Sequence, residues 1–314
     1  KIIPSIGDLT NEEVILLPWN TKESKLQYIK IKGKSFYNTK EGAIQIKTIA
    51  KKDDGYKEFL KNRIELTAGG TVVLARGVHK VIERHKDIHY PWKDTRHLFL
   101  NSDINILNFK SPLVTNFNYP KSSWVLIGKS IYAKAMAATN IHLVSIAGNH
   151  MGDAKGDGLF ETIKTLNDHN IEFVGAGKTN NEAYRCKKII KKDSSFGFLA
   201  FNNVHGSIGK PTTESPGIAW LDQMALDAIE ACDKQVDNLI VMVNWGTEYT
   251  HQPRKKEREW AKKMIESGAD LILGDQAHWV QIHENINNAH VSYGLGNYIF
   301  DQHWSEKNSL FLPY

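Results

Sequence analysis

The stretch Ser145–Ala183, SIAGNHMGDAKGDGLFETIKTLNDHNIEFVGAGKTNNEA, reads as one structural unit. Its apolar start belongs to a strand predicted over Ile141–Ala147, and Gly148-Asn149-His150 then turns the chain. Asp153 and Gly158 shape that turn, Asp157 suits a helix N-cap, and Gly158–His169 has the pattern of a helix. A further turn leads into Val174-Gly175-Ala176-Gly177. Strand, loop and helix in this order are the repeating unit of an α/β protein.

Outward from this stretch the alternation recurs. Strands are predicted at Ile104–Asn108, Phe196–Phe201, Leu239–Val243, Leu271–Leu273 and Val291–Tyr293, with helices at Gln223–Cys232 and Lys255–Ser267. The last helix places Trp260, Ala261, Met264 and Ile265 on one face and meets Gly268 as its stop, so it should cover a sheet. Upstream, the run Ile64–Ala75, IELTAGGTVVLA, reads as a buried strand opening into a loop. Residues before Asn62 read as short strands, Val14–Leu17 and Leu26–Ile31 among them, and polar turns with no catalytic motif. The expected organisation is a small β-rich N-terminal segment, 1–62, followed by one large domain, 63–314.

With 41% hydrophobic and 24% charged residues in 314, the chain can bury a sizeable core. Its apolar runs fall far short of the roughly 20 residues a membrane-spanning helix needs. The start at Lys1 suggests a processed or trimmed product from which a signal peptide or anchor was removed. An excess of 40 Lys and Arg over 35 Asp and Glu is mild. It favours acidic partners, and no basic motif interleaved with aromatics points to nucleic acid. Cys186 and Cys232 are too few for a disulfide framework and lack CxxC spacing, which argues against a metal or redox role.

The candidate site residues follow the strands. Gly69-Gly70-Thr71, Gly148-Asn149-His150, Asn244-Trp245-Gly246 and Gly274-Asp275-Gln276-Ala277-His278 all come after apolar runs, where open α/β sheets place ligand sites. Imidazole nitrogen with carboxylate or amide oxygen suits a borderline divalent ion, and a hydroxide on such an ion attacks phosphoesters or amides. A histidine at a strand end also serves as a hydrogen-bonded structural residue.

Longer strings carry a resemblance. The stretch Ser145–Ala183, then VNWGTEYTHQP, ESGADLILGDQAHWVQ and SYGLGNYIFDQ, taken in order, are similar to the CapA family of bacterial capsule and poly-γ-glutamate synthesis proteins. The resemblance runs from about Leu66 to Gln302. It implies an α/β fold of the calcineurin-like metallophosphoesterase type, a sandwich of two β-sheets flanked by helices. It also implies an extracytoplasmic, cell-envelope or membrane-anchored role in making or processing a capsule polymer.

The family's ligand positions are altered here. Its Gly-Asp motif reads as Gly69-Gly70, its Asn-Leu-Glu as Asn108-Phe109-Lys110, its His-Trp-Gly as Asn244-Trp245-Gly246, and its Gly-His-His-Pro-His as Gly274-Asp275-Gln276-Ala277-His278. Glycine has no ligand atom and Lys110 repels a divalent ion, so a two-metal centre is not expected.

Two expectations follow. In one, a single divalent ion (Mn, Zn or Mg) held by Asn149, His150, Asp275 and His278 activates water, with His150 and Glu248 catalytic and Glu248 serving either as general base or to orient His150. In the other there is no metal, and Lys110, Asn244 and Trp245 take part in binding an anionic polymer, poly-γ-glutamate-like, or a membrane protein of capsule synthesis. Lys110 equally suits a salt bridge to Asp275 or Glu248. Replacement ligands from Asp103, His205 or His251 would require the fold to bring them in.

Overall fold

Period-two apolar residues build two large β-sheets, beside two small two-stranded ones, described by a computed structural model over residues 63–118, 124–212 and 215–302. The N-terminal segment 1–62, with the strands expected at Val14–Leu17 and Leu26–Ile31, lies outside the described residues. The first sheet contains β1 (Leu66–Val72), β2 (Ile104–Phe109), β3 (Leu143–Ser145), β4 (Glu172–Val174) and, returning from the end of the chain, β11 (Asn297–Ile299). Its order is β11-β1-β2-β3-β4, and every pairing is parallel. The second sheet contains β5 (Lys187–Lys191), β6 (Ser194–Asn202), β7 (Asn238–Asn244), β8 (Leu271–Asp275), β9 (His283–Ile286) and β10 (Ala289–Ser292). Its order is β9-β10-β8-β7-β6-β5, parallel in the middle with an antiparallel strand at each edge.

Alternation along each strand divides the apolar residues into three layers. Ile104, Ile106 and Leu143 of the first sheet pack against Phe198, Ala200, Ile240, Met242 and Leu273 of the second, so the sheets lie face to face. On the outside of the first sheet, Leu107, Phe109 and Val144 meet α1 (Arg76–His85), α2 (Arg96–Leu100), α3 (Tyr132–Ala138) and α4 (Lys155–Asp168) through Ile82, Phe99, Met136 and Leu159. Outside the second sheet, Leu239, Val241 and Val243 meet α5 (Gln223–Asp233) and α6 (Lys255–Glu266) through Ile229, Ala261 and Met264. The helix-flanked, two-sheet sandwich expected from the sequence is the observed architecture.

Two details differ from expectation. Helix α4 begins three residues before Gly158, with Ala154 at its N-cap position and Asp157 inside the first turn, where it complements the helix dipole rather than capping. Cys186 and Cys232 are bonded to each other, stapling the start of β5 to the end of α5 with a Cα–Cα separation of 5.7 Å. One disulfide is not a framework, but it gives the pair a role that spacing did not reveal.

The inner layer decides where the site forms. Each inward-facing series is apolar at its start and polar at its carboxyl end: Ile104, Ile106, then Asn108 and Lys110; Ile240, Met242, then Asn244; Leu271, Leu273, then Asp275; Phe198, Ala200, then Asn202. Register aligns these ends. Asn202, Asn244 and Asp275 are neighbours across the second sheet, and Asn297, Thr71, Asn108 and Ser145 across the first.

Candidate functional site

The centre of this polar seam is an ion pair between the sheets. Lys110 Nζ lies 3.1 Å from Asp275 Oδ2 and donates to Gln276 Oε1 at 2.8 Å, and the side chains of Lys110 and Asp275 are only 3% and 1% exposed. The Thr71 hydroxyl donates to the other Asp275 oxygen. Charges so far from water persist only when paired and hydrogen-bonded, so this cluster is a committed structural unit. Of the readings open for Lys110, the bridge to Asp275 is the one observed.

Thr71 corrects the alignment of the first motif. Counting by twos from Leu66 and Ala68 points residue 70 inward, but the β1/β2 register slips between Gly69 and Thr71 and passes the inward position to Thr71. A Cβ on Gly70 would sit 2.0 Å from the Gly296 carbonyl oxygen, so glycine is required there by close backbone approach. The residue at the site is therefore a threonine, which lacks the family's carboxylate as surely as glycine does.

Beyond the ion pair the amides interlock. Asn244 Nδ2 donates to Asn202 Oδ1 at 2.7 Å and to Asn149 Oδ1 at 3.2 Å. Asn108 Nδ2, Asn244 Oδ1 and Asp275 Oδ2 are buried without a hydrogen-bond partner, and only the last has the Lys110 charge beside it. Thr71 and Gln276, which lie in loops named from the sequence but were given no role there, belong to this cluster, as does Asn202, which the sequence reading did not name. For Asn202 the signal was present in the continued alternation after Phe198 and Ala200.

A cavity of about 420 Å³ opens above the seam, lined by Lys110, His150, Glu248, Gln276 and His278 at its polar side and by Trp124, Tyr249 and Phe300 among its walls. Tyr249, Gln276 and His278 all have positive φ, of 59°, 80° and 60°. Such conformations are uncommon outside glycine, and three in adjoining loops mark a site held by its surroundings. Asp153 fixes His150, 2.9 Å from its Nδ1, while also accepting from the Leu126 amide and the Ser207 hydroxyl. Asp153 thus takes the orienting role that was one of the two expected of Glu248. Glu248 itself stands 3.7 Å from His278 Nε2 and accepts from Gln276 Nε2 at 3.0 Å. The His278 imidazole holds its carboxyl below the usual range, with Lys110 and His150 adding to the effect against partial burial. His278 Nδ1 is 2.9 Å from Asn297 Oδ1.

Other expected members lie elsewhere. Trp245 continues the outward series Leu239, Val241, Val243, and its indole donates to the Tyr293 carbonyl inside the layer under α6, so it does not line the cavity. Asp103 accepts from the Glu65 amide, His205 packs on Trp220, and His251 stacks on Trp279; none lines the cavity.

These residues do not fit the metal centre that the family resemblance implies. The inward strand ends offer one carboxylate, Asp275, already held by an ammonium and a hydroxyl. Asn149 accepts from Asn244; the Nδ1 atoms of His150 and His278 face Asp153 and Asn297, which leaves Nε2 as the ligand face of each ring, so the misfit lies in the carboxylate and not in the imidazoles. Among the described residues, no three His, Cys, Asp or Glu side chains converge as ligands. A divalent ion at Asp275 would meet the Lys110 charge at close range.

Comparison with known proteins places residues 65–302 under the family described as "Bacterial capsule synthesis protein PGA_cap". The chain is similar to the capsule biosynthesis protein CapA of Bacillus anthracis, 26% identical over 80% of this chain and 64% of that protein. It is also similar to the PGA biosynthesis protein CapA of Bacillus subtilis, 27% identical over 75% of this chain and 63% of that one. A probable polyglutamine synthesis accessory protein of Mycobacterium tuberculosis matches at 24% identity over 78% and 68%. The chain thus spans a little under two thirds of the two Bacillus relatives. Among solved structures, a hypothetical protein from Thermus thermophilus aligns at 12% identity and TM-score 0.45, covering 74% of this chain and 76% of that one. The NAD nucleotidase of Haemophilus influenzae aligns at 15% identity and TM-score 0.43, covering 67% and 38%.

Proposed function

The chain belongs to the bacterial capsule synthesis protein family, and we propose that it serves capsule-polymer synthesis as a non-hydrolytic, ligand-binding component of the cell envelope. One observation carries this reading: the Lys110 ammonium is buried against Asp275 and Gln276 at the strand ends where a metal would be held. A fixed ammonium supplies positive charge but no exchangeable coordination position, so it generates no nucleophilic hydroxide. The cavity above keeps its depth, its polar floor and its aromatic walls, which suits recognition. Partners in this reading are a capsule polymer or the proteins that assemble it, as the names of the Bacillus relatives suggest. The Cys186–Cys232 bond favours an oxidising, extracytoplasmic setting. Among the described residues no helix is long and apolar enough to cross a membrane.

The test is turnover by the purified protein with added Mn²⁺, Zn²⁺ or Mg²⁺ against bis-p-nitrophenyl phosphate and against poly-γ-glutamate. The expected result is no release above that of His150→Ala. Metal-dependent turnover lost in that variant would show a working hydrolase and sink the proposal.

A further inference from the structure

The polar groups lining the cavity divide into those already committed and those still open. Each basic side chain has a carboxylate of its own: Lys110 has Asp275, Arg76 has Asp301, His150 has Asp153 and His278 has Glu248. Gln276 is committed too, its Oε1 to Lys110 and its Nε2 to Glu248. Cations compensated in this way do not read the repeated carboxylates along a polyanion, which calls for a row of uncompensated ones.

Three groups at the lining remain open among the described residues. Glu248 uses Oε1 for Gln276 and His278, while its Oε2 accepts no hydrogen bond and the side chain is 48% exposed. His150 turns Nδ1 to the Asp153 carboxylate, which fixes the ring proton there and leaves Nε2 as an acceptor in the neutral ring. Gln302 accepts from Asn297 at Oε1 and keeps the two N–H donors of Nε2. Two acceptors, one of them ionic, and an amide donor are the complement of an ammonium with a carboxylate beside it. In a glutamyl chain linked through its side-chain carboxyls, every unit bears an α-carboxylate. Only the amino-terminal unit also bears an α-ammonium, on the same carbon. The volume of about 420 Å³ is that of a small-molecule site, which takes the end of a polymer rather than its length.

We infer that the cavity recognises the free amino end of a γ-linked glutamyl chain: Glu248 Oε2 and His150 Nε2 accept from the α-ammonium, and Gln302 Nε2 donates to the adjacent α-carboxylate. This rests on the proposed reading of the cavity as a non-hydrolytic binding site for a capsule polymer. It adds which part of that polymer is read, and it makes Glu248 the residue that sets specificity. The rest of the polyanion stays outside the cavity.

Isothermal titration with tri-γ-glutamate, its N-acetyl derivative and α-linked triglutamate decides the matter. The expected result is saturable binding of tri-γ-glutamate, weakened about tenfold or more by N-acetylation, which removes the ammonium, and by Glu248→Gln, which removes the charge that meets it. The α-linked trimer has an amide in place of the first unit's α-carboxylate and should also bind more weakly. Glu248 is half-exposed, so the variant should fold, and the comparison of ligands on the wild type does not depend on it. Equal affinity for the acetylated trimer, equal affinity for the α-linked trimer, indifference to Glu248→Gln, or no binding of tri-γ-glutamate would each overturn the inference. None of these outcomes depends on hydrolysis, so the inference can fail while the non-hydrolytic reading stands. Metal-dependent turnover would remove that reading separately.

Discussion

The inner layer of the sandwich has two halves made by the same strands. In the first, Ile104, Ile106, Ile240, Met242 and Leu273 fill the space between the sheets with hydrocarbon. In the second, two to four residues further along, Lys110, Asn244 and Asp275 are buried almost as completely. Packing explains the first half completely, since burial of apolar area is what holds two sheets together. It does not explain the second, where hydrocarbon would serve stability as well or better than a buried ion pair. Buried polar residues at such a place point to a function rather than to packing, and the function proposed above is ligand binding without a metal.

Breaking that contrast gives ordered expectations. Lys110→Ala removes the only cation paired with the buried Asp275 among the described residues, leaving the Thr71 hydroxyl as its partner, and should cost about 4 kcal/mol of stability in urea unfolding. The double variant Lys110→Met/Asp275→Leu should recover most of that loss, because it removes both charges together; if it is as unstable as the single variant, the pair is not the unit described. In the apolar half, Ile240→Ala should cost about 3 kcal/mol through lost transfer energy and the cavity left behind, with no second substitution in the seam able to rescue it. The smallest effect is expected at the other end of the first sheet. His142 Nδ1 accepts the Asn105 amide at 3.0 Å, and burial, then the charge of Lys191, lowers its pKa. The folded state therefore takes up this proton less readily than the unfolded chain. Its contribution is complete above about pH 6.5 and declines as pH falls from there through the lower folded value. A His142→Asn variant should show a shallower acid limb in stability against pH; an unchanged limb would remove His142 as a cause.

Much of this was legible in the sequence because period two is a strong signal. The strands at 104–108, 239–243 and 271–273 are each found within a residue or two, and helix α6 carries Ala261 and Met264 inward as its pattern requires. Carrying the alternation past the apolar residues would also have named Asn202 and separated Asn244, facing inward, from Trp245, facing the outer layer. What alternation could not supply was the slip at Gly70, since a bulge is set by the close approach of Gly296 from the far end of the chain. Nor could it pair Lys110 with Asp275, which are 165 residues apart by number (275 − 110) and meet only once both sheets exist. The orientation of His150 by Asp153 was closer to hand, three residues away, but its geometry depends on the turn and on Ser207.

Metal binding by the purified protein tests the central claim most directly. After equilibrium dialysis against Mn²⁺, Zn²⁺ and Mg²⁺ and elemental analysis, the buried Lys110–Asp275 pair predicts no stoichiometric metal and no difference between the wild type and His150→Ala/His278→Ala. One or two equivalents of a divalent metal in the wild type, lost from the double variant, would contradict it.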